Sequence, residues 1–295
     1  MPLRGLSTAV RVWPETPIRG TSSIKSHTLV LLHGWMDVAA SFQFLVDALP
    51  ADWRCVSFDW RGFGQSEHSG VDSYWFADYV ADLDFFLDAA VERGWIEKDA
   101  INLVAHSMGG NVAMLYAGIR PERIRRLVNL EGTGMPSSKP TQAPKRYRQW
   151  LSELHAPPRL NDYATLGDVA ARLQKTNPRL KDDFAQFLAI HWAKQVENGR
   201  FALTSDAIHK VSNPILYRVE EVIACWREIK APVLLALASD TNDWHQFIKQ
   251  PAYQRRLKAI RDVTVVTVPE TGHMMHHEKP VVLSELIANF IEGAP

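Results

Sequence analysis

Short apolar runs alternate with amphipathic stretches between residues 27 and 130. The apolar runs end at turn-forming residues, as buried parallel strands do. They predict strands at 27–32, 54–59, 100–105 and 126–130. The stretches between them have apolar residues at helical spacing and predict helices at 42–49, 75–93 and 110–119. This alternation indicates a parallel sheet with helices on both faces.

The alternation stops after residue 132 and resumes at about residue 231. Between these points, prolines separate helical patterns at 168–173 and 182–196, and a turn is predicted at 197–200. Beyond them the pattern predicts a strand at 232–238, a helix at 245–260, a strand at 263–268 and a closing helix at 281–291. A strand-like stretch at 9–13 is expected to begin the sheet in the antiparallel sense. We therefore expect an α/β core of residues 1–132 and 231–295, interrupted by a helical cap at 133–230.

Composition and charge narrow the class of protein. Lys plus Arg equals Asp plus Glu, at 33 each, so the chain lacks the basic excess of nucleic-acid-binding proteins. Two cysteines, Cys55 and Cys225, are too few for a disulfide framework in 295 residues. The chain shows neither an apolar run of membrane-spanning length nor a signal-peptide pattern. We expect a cytoplasmic protein that binds a small-molecule substrate, and neither nucleic acid nor membrane.

Ser107 is the candidate nucleophile, in the sequence Ala-His-Ser-Met-Gly-Gly. It stands between a predicted strand and a predicted helix, where a sharp turn projects the serine Oγ above the carboxyl edge of the sheet. Strand and helix approach closely there, and the small residues that this requires are Ala105 and Gly109. The helix N-terminus favours developing negative charge, so the backbone N–H of Met108 is a candidate oxyanion donor. The alternative is a serine that only caps a helix.

A nucleophilic serine needs a general base, and His273 is the best placed of the 11 histidines. It lies between the last predicted strand and the closing helix, and Gly272 lets this loop bend toward the serine. His276 and His277 are the alternatives. The second oxyanion donor is predicted to be the backbone N–H of Trp35, which follows a His-Gly turn after the first main strand.

Four sequence features point to one family, and they are Ser107, His273, His-Gly at 33–34 and Asp-Trp-Arg-Gly-Phe-Gly-Gln-Ser at 59–66. Together they resemble the α/β-hydrolase superfamily over residues 28–130 and 231–291. The resemblance implies the α/β-hydrolase fold, a mostly parallel central sheet flanked by helices, with a helical cap inserted between strands 6 and 7. Its catalytic serine, histidine and acid would come from separate loops at one edge of the sheet.

Two shorter segments resemble a subgroup of this superfamily. The sequences at 33–42 and 130–132 are similar to those of serine hydrolase-like proteins. Haloalkane dehalogenases and soluble epoxide hydrolases share the same layout but use an aspartate as nucleophile. Because Ser107 occupies that position, the resemblance argues against both of these chemistries.

The acid that orients the base has three candidates. Glu131 lies at the end of the strand before the expected cap, and Asp240 and Asp243 lie after the strand that follows it. Family members place the acid at either position. The resemblance to members with the acid before the cap implies Glu131, and the resemblance to members with the acid after it implies Asp240 or Asp243, so the choice stays open.

These residues predict a hydrolase that cleaves a carboxylic ester, thioester or lactone of a small to medium apolar substrate through an acyl-enzyme. Such chemistry needs no cofactor and no metal ion, and none is predicted. The alternatives on the same scaffold are a carbon–carbon bond hydrolase, a cofactor-free ring-cleaving dioxygenase and a non-catalytic binding protein. Four aromatic residues of the expected cap are candidates for either the substrate pocket or the core of the cap itself, and they are Trp150, Tyr163, Trp192 and Tyr217.

Overall fold

A mostly parallel sheet lies at the centre of the fold. The computed structural model describes residues 1–14, 27–240, 248 and 250–293. The strands in chain order are β1 (Pro2–Leu3), β2 (Leu6–Ser7), β3 (Val10–Trp13), β4 (Thr28–Leu32), β5 (Arg54–Phe58), β6 (Ile101–His106), β7 (Ile124–Leu130), β8 (Asp162–Tyr163), β9 (Ala193–Gln195), β10 (Phe201–Leu203), β11 (Val233–Ala238) and β12 (Val263–Val268). The main sheet has the order β12-β11-β7-β6-β4-β5-β3. Only the β3–β5 pair among these is antiparallel within the described residues, as the sequence predicted.

Helices cover both faces of this sheet. In chain order they are α1 (Gln43–Ala48), α2 (Phe76–Glu92), α3 (Met108–Ile119), α4 (Ala143–His155), α5 (Leu166–Thr176), α6 (Asp182–Trp192), α7 (Val219–Arg227), α8 (Pro251–Leu257), α9 (Met275–Glu278) and α10 (Pro280–Glu292). Apolar residues of α1 and α10 pack on one face, and those of α2, α3, α7 and α8 pack on the other. No helix in the described part of the chain has the length and apolar character needed to cross a membrane.

Strand β4 shows why the sheet must be covered on both sides. Its side chains alternate between the two faces, with Val30 and Leu32 in one apolar cluster and Leu29 and Leu31 in the other. All four side chains are fully buried. A strand that is apolar on both faces is stable only between two helical layers, which explains the continuous hydrophobic runs in the sequence.

The segment at 133–230, here called the inserted segment, enters the fold between β7 and β11. It contains α4 to α7, and it also contains a three-stranded antiparallel sheet of order β8-β10-β9 that the sequence did not predict. The predicted helix at 182–196 ends at Trp192, and the chain continues as β9. Pairing with β10 across the turn at 197–200 favours extended backbone over the helical pattern there. This segment has its own apolar cluster, which includes Val169, Leu173 and Leu188.

The predicted elements outside this segment match the structure closely. The inserted segment follows the fifth described strand of the main sheet, whereas the family resemblance placed it after strand 6. Strands β1 and β2 pair only with each other, as a separate ribbon, and when this ribbon is counted as the first strand the segment follows strand 6. The predicted helix at 245–260 is described only in part, as α8, because residues 241–247 and 249 lie outside the described residues.

Helices α3 and α7 approach so closely at Gly118 that a larger residue has no room. An added Cβ there would lie 1.9 Å from the backbone oxygen of Cys225. We expect Gly118→Ala to lower the free energy of unfolding by about 1–3 kcal/mol, because the helices must move apart. Gly167→Ala, in α5, is the matched control, since its nearest neighbour is 3.5 Å away. Urea denaturation should show the control unchanged or stabilised by up to about 1 kcal/mol, and equal stabilities of the two variants would contradict this packing.

Candidate active site

The turn at Ser107 joins β6 to α3 in a strained backbone conformation. Ser107 has φ 51° and ψ −116°, a region that residues with a side chain rarely adopt. Its N–H donates a hydrogen bond of 2.8 Å to the carbonyl of Leu130, at the end of the neighbouring strand. A Cβ at Gly109 would lie 2.5 Å from the carbonyl oxygen of Leu32. The small residue after the serine is therefore required by the close contact with β4, as the sequence predicted.

Ser107, His273 and Glu131 come together at the carboxyl edge of the sheet. The Nε2 atom of His273 lies 3.0 Å from the Oγ of Ser107. The Nδ1 atom of the same ring lies 3.3 Å from Oε2 of Glu131. The imidazole is thus positioned between hydroxyl and carboxylate, an arrangement that can take a proton from the serine and stabilise the resulting imidazolium.

Glu131 is held rigidly in the protein interior. Its other carboxylate oxygen, Oε1, accepts a hydrogen bond of 2.7 Å from the backbone N–H of Ala238. Its backbone N–H donates to the carbonyl of Ala236 at 3.0 Å, and its φ is 61°. The residue is 2% exposed. A buried carboxylate fixed by a backbone donor on β11 is well suited to orient an imidazole.

The other two acid candidates differ from Glu131 in position. The side chain of Asp240 is 48% exposed and forms an ion pair with Arg179 of the inserted segment. Asp243 lies outside the described residues. Glu131 is therefore the candidate acid whose contact with His273 the structure describes.

The loop after β4 passes directly over the serine turn. A Cβ at Gly34 would lie 3.2 Å from the Cβ of Ser107 and 2.9 Å from Nδ1 of His106. This contact brings Trp35, the next residue, to the cleft into which Ser107 opens, and Met108 lines the same cleft. Met108 begins α3, so its N–H belongs to the first turn of the helix, where N–H groups have no intrahelical partner.

Buried hydrogen bonds hold this loop in place. The His33 ring accepts a bond of 3.0 Å from the backbone N–H of Trp60 and donates from Nδ1 to the carbonyl of Gly34 at 2.8 Å. Burial lowers the pKa of His33, which keeps the ring in the neutral form that this pattern needs. The Asp59 carboxylate accepts from the N–H groups of Ala39, at 2.7 Å, and Gln65, at 2.9 Å. The segment at 59–66 thus holds the loop after β4 in position.

His106 is a positioning residue that the sequence analysis missed. Its Nε2 donates a hydrogen bond of 2.8 Å to the backbone carbonyl of His273 and so ties the serine turn to the loop of the base. Burial, and then the neighbouring His276 and His273, lower its pKa well below the usual value, so the ring is neutral. The signal in the sequence was its place directly before Ser107.

A cleft of about 640 Å³ opens above Ser107. Its volume is in the range of small-molecule sites. Its aromatic wall comes from the core, mainly from residues 74–79 around the start of α2, and consists of Trp35, Tyr74, Trp75, Phe76 and Tyr79. The inserted segment contributes Gly134, Met135, Arg146, His209, Val211 and Asn213.

The aromatic residues that the sequence analysis proposed for the pocket lie elsewhere. Trp150 donates to the carbonyl of Asp72, and Tyr163 belongs to β8. Trp192 contacts the hydroxyl of Ser41. Tyr217 is buried beside α7 and does not line the cleft in the described structure. Tyr163 and Trp192 pack against the apolar cluster of the inserted segment, as the alternative predicted. Trp150 and Tyr217 instead contact residues of the core, Asp72 and Phe76.

Comparison with known proteins agrees with this geometry. The family model described as the alpha/beta hydrolase fold matches residues 27–280. The chain belongs to this family. This α/β-hydrolase is 29% identical to the serine hydrolase-like protein of Danio rerio, over 95% of this chain and 86% of that protein. The predicted fold, the family resemblance and the assignment as a hydrolase enzyme are thereby confirmed.

Solved structures resemble this α/β-hydrolase over nearly its whole length. A hypothetical protein of Pseudomonas aeruginosa PAO1 superimposes with a TM-score of 0.81 and 25% identity, covering 99% of this chain and 98% of that one. A thioesterase domain from the curacin biosynthetic pathway gives a TM-score of 0.78 at 21% identity, covering 98% and 97%. Because its sequence identity is only 21%, the likeness to the thioesterase domain supports the fold alone.

The contact between Glu131 and His273 predicts which acid matters for catalysis. We expect Glu131→Gln to lower kcat on a p-nitrophenyl ester by about 10³- to 10⁴-fold with the fold intact, because the imidazole loses the charge that orients it. Asp240→Asn should leave kcat close to that of the unmodified protein. Asp243→Asn forms the third arm. A larger loss in either aspartate variant would assign the acid to that residue instead, and circular dichroism checks folding.

The burial of His209 predicts that the free energy of unfolding depends on pH. Its ring stacks between Phe63 and Tyr74, with centroids 3.7 and 3.9 Å away, and burial lowers its pKa from 6.5 to about 3. Between these pH values the unfolded chain binds a proton there and the folded chain does not, so stability falls as pH falls. We expect His209→Phe to reduce this slope by about 1.4 kcal/mol per pH unit.

The measurement is the free energy of unfolding in urea at several pH values between 6.5 and 3. The slope is compared rather than the absolute stability, since the variant also loses the hydrogen bond between Tyr79 and the ring. A variant of the exposed His155, His155→Gln, should keep the full slope. Identical slopes for all three proteins would contradict the neutral, buried state of His209.

Proposed function

We propose that this α/β-hydrolase cleaves a carboxylic ester, or a related thioester or lactone, through an acyl-enzyme on Ser107. The proposal rests on the contact of the His273 ring with the Ser107 hydroxyl on one side and with the Glu131 carboxylate on the other. The strained turn and the cleft above it support the same reading, because they expose the hydroxyl to a small molecule.

The proposed reaction has two stages. The Oγ of Ser107 attacks the carbonyl carbon while Nε2 of His273 takes its proton, and the negative charge on the substrate oxygen is stabilised by the N–H groups of Trp35 and Met108. The imidazolium then gives its proton to the leaving alcohol, and the acyl group stays on the serine. A water molecule, deprotonated by His273, releases the acid and restores the hydroxyl.

The inserted segment is proposed to act as the cap that sets substrate selectivity, with residues 1–132 and 231–295 as the core. It supplies six of the residues that line the described cleft, whereas the reacting groups all come from the core. The lining is mainly apolar and aromatic. Besides the reacting Ser107 and His273, its polar exceptions are Asn111, Arg146, His209 and Asn213. These features favour a small to medium apolar acyl group.

Two measurements test the proposal. A fluorophosphonate probe should label the folded protein, and Ser107→Ala should abolish the label, because the hydroxyl is the group that reacts. On p-nitrophenyl esters of increasing acyl length, kcat/KM should rise to a maximum at short or medium chains and fall for long ones, since the cleft is limited in volume. Ser107→Ala should lose at least about 10³-fold in kcat on the best ester.

Ser152→Ala, which changes an exposed serine on α4, is the control and should label and turn over normally. Labelling that persists in Ser107→Ala would refute the assignment of the nucleophile. If Ser107→Ala keeps its activity on the natural substrate, the His–acid pair acts alone, as in the ring-cleaving dioxygenase alternative. A folded protein that neither labels nor hydrolyses any ester would favour the non-catalytic alternative.

A further inference from the structure

Three buried polar side chains lie together behind the active site. They are Asp37, on the loop after β4, and His276 and His277, on α9. One ligand atom from each, a carboxylate oxygen or a ring nitrogen, lies within 4.8 Å of the other two. All three residues are at most 3% exposed. None of them takes part in the proposed reaction.

Several polar atoms of this cluster lack hydrogen-bond partners in the described part of the protein around them. Oδ2 of Asp37, both ring nitrogens of His276 and Nε2 of His277 are buried and have no hydrogen-bond partner among the described residues. Oδ2 of Asp37 and Nε2 of His276 are 3.6 Å apart, too long for a hydrogen bond. Buried polar groups without partners destabilise a fold, and such groups on three neighbouring residues point to a ligand that these residues share.

We propose that Asp37, His276 and His277 bind a divalent transition-metal ion of the Zn²⁺ type. Two imidazole nitrogens and one carboxylate oxygen form a donor set that such ions prefer, with a fourth position for water. The sequence analysis predicted no metal, because the ligands come from opposite ends of the chain and meet only in the folded core.

The geometry requires a small local movement. In a tetrahedral site with bonds of about 2.0 Å, ligand atoms lie roughly 3.3 Å apart. The separation of 3.6 Å between Asp37 and His276 is close to this value, and the third ligand must move inward by up to about 1.5 Å. Aromatic rings border the donors, since the ring centroids of Phe42 and His276 are 5.3 Å apart and those of Phe44 and His277 are 5.9 Å apart.

An ion at this place would join two loops that serve the reaction. Asp37 is two residues beyond Trp35, and His276 is three residues beyond His273. The ring of His276 also packs against that of His106, with centroids 4.3 Å apart. Binding should therefore stabilise the relative position of the oxyanion loop and the base loop.

The test uses the full-length protein, freed of metal with a chelator and then titrated with Co²⁺ as a spectroscopic probe. We expect one equivalent to bind and to give the intense visible absorption of a tetrahedral Co²⁺ site, and Zn²⁺ to displace it. Zn²⁺ should also raise the melting temperature. His277→Phe and Asp37→Asn should each weaken Co²⁺ binding by at least about tenfold.

Two control variants distinguish the proposed site from binding at other histidines. His155→Gln, at an exposed histidine, should bind Co²⁺ like the unmodified protein. His273→Ala should also keep the Co²⁺ spectrum, because the ion does not bind to the general base. Loss of the spectrum in His273→Ala, with retention in His277→Phe, would place the ion at the serine site and overturn the proposal. A folded, unmodified protein that shows neither one-to-one binding nor a shift in melting temperature would overturn it even if the cluster variants fail to fold.

Discussion

The sharp turn at Ser107 is the constraint on which the rest of the site depends. A backbone conformation of this kind costs on the order of 1–3 kcal/mol and persists only where its surroundings fix it. Here the carbonyl of Leu130 accepts the serine N–H, and Gly109 packs against the carbonyl of Leu32. The strands on both sides of β6, which are β7 and β4, thus hold the turn. The stability of the buried sheet offsets the backbone strain that exposes the hydroxyl.

Polar contacts away from the reacting atoms extend this rigidity to the loops. His106 ties the serine turn to the carbonyl of His273, and His33 and Asp59 fix the loop that carries Trp35. The contacts of His33 and Asp59 are buried and that of His106 is partly buried, so breaking one would leave a polar group poorly solvated and without a partner. Groups fixed in this way need little rearrangement when charge develops on a substrate, which is the physical basis of preorganisation.

The two carboxylates at the carboxyl edge of the sheet have separate structural roles. Glu131 faces inward, where Ala238 fixes its orientation toward His273. Asp240 faces outward and pairs with Arg179, which also lies 3.8 Å from a carboxylate oxygen of Glu278. Arg179 belongs to the inserted segment, so this ion pair joins that segment to the core beside the loop of the base.

The sequence by itself predicted the nucleophile and the base, and it determined the layered fold. These predictions depend on local pattern. A small-residue turn at Ser107 between an apolar strand and a helix can be recognised without knowing how the rest of the chain folds. The tertiary structure favours Glu131 over Asp240 as the acid, since both lie at strand ends and only side-chain direction and burial separate them. It also decided that core aromatics line the cleft and that Asp37 meets His276, because such contacts join positions far apart in sequence, and no local periodicity encodes them.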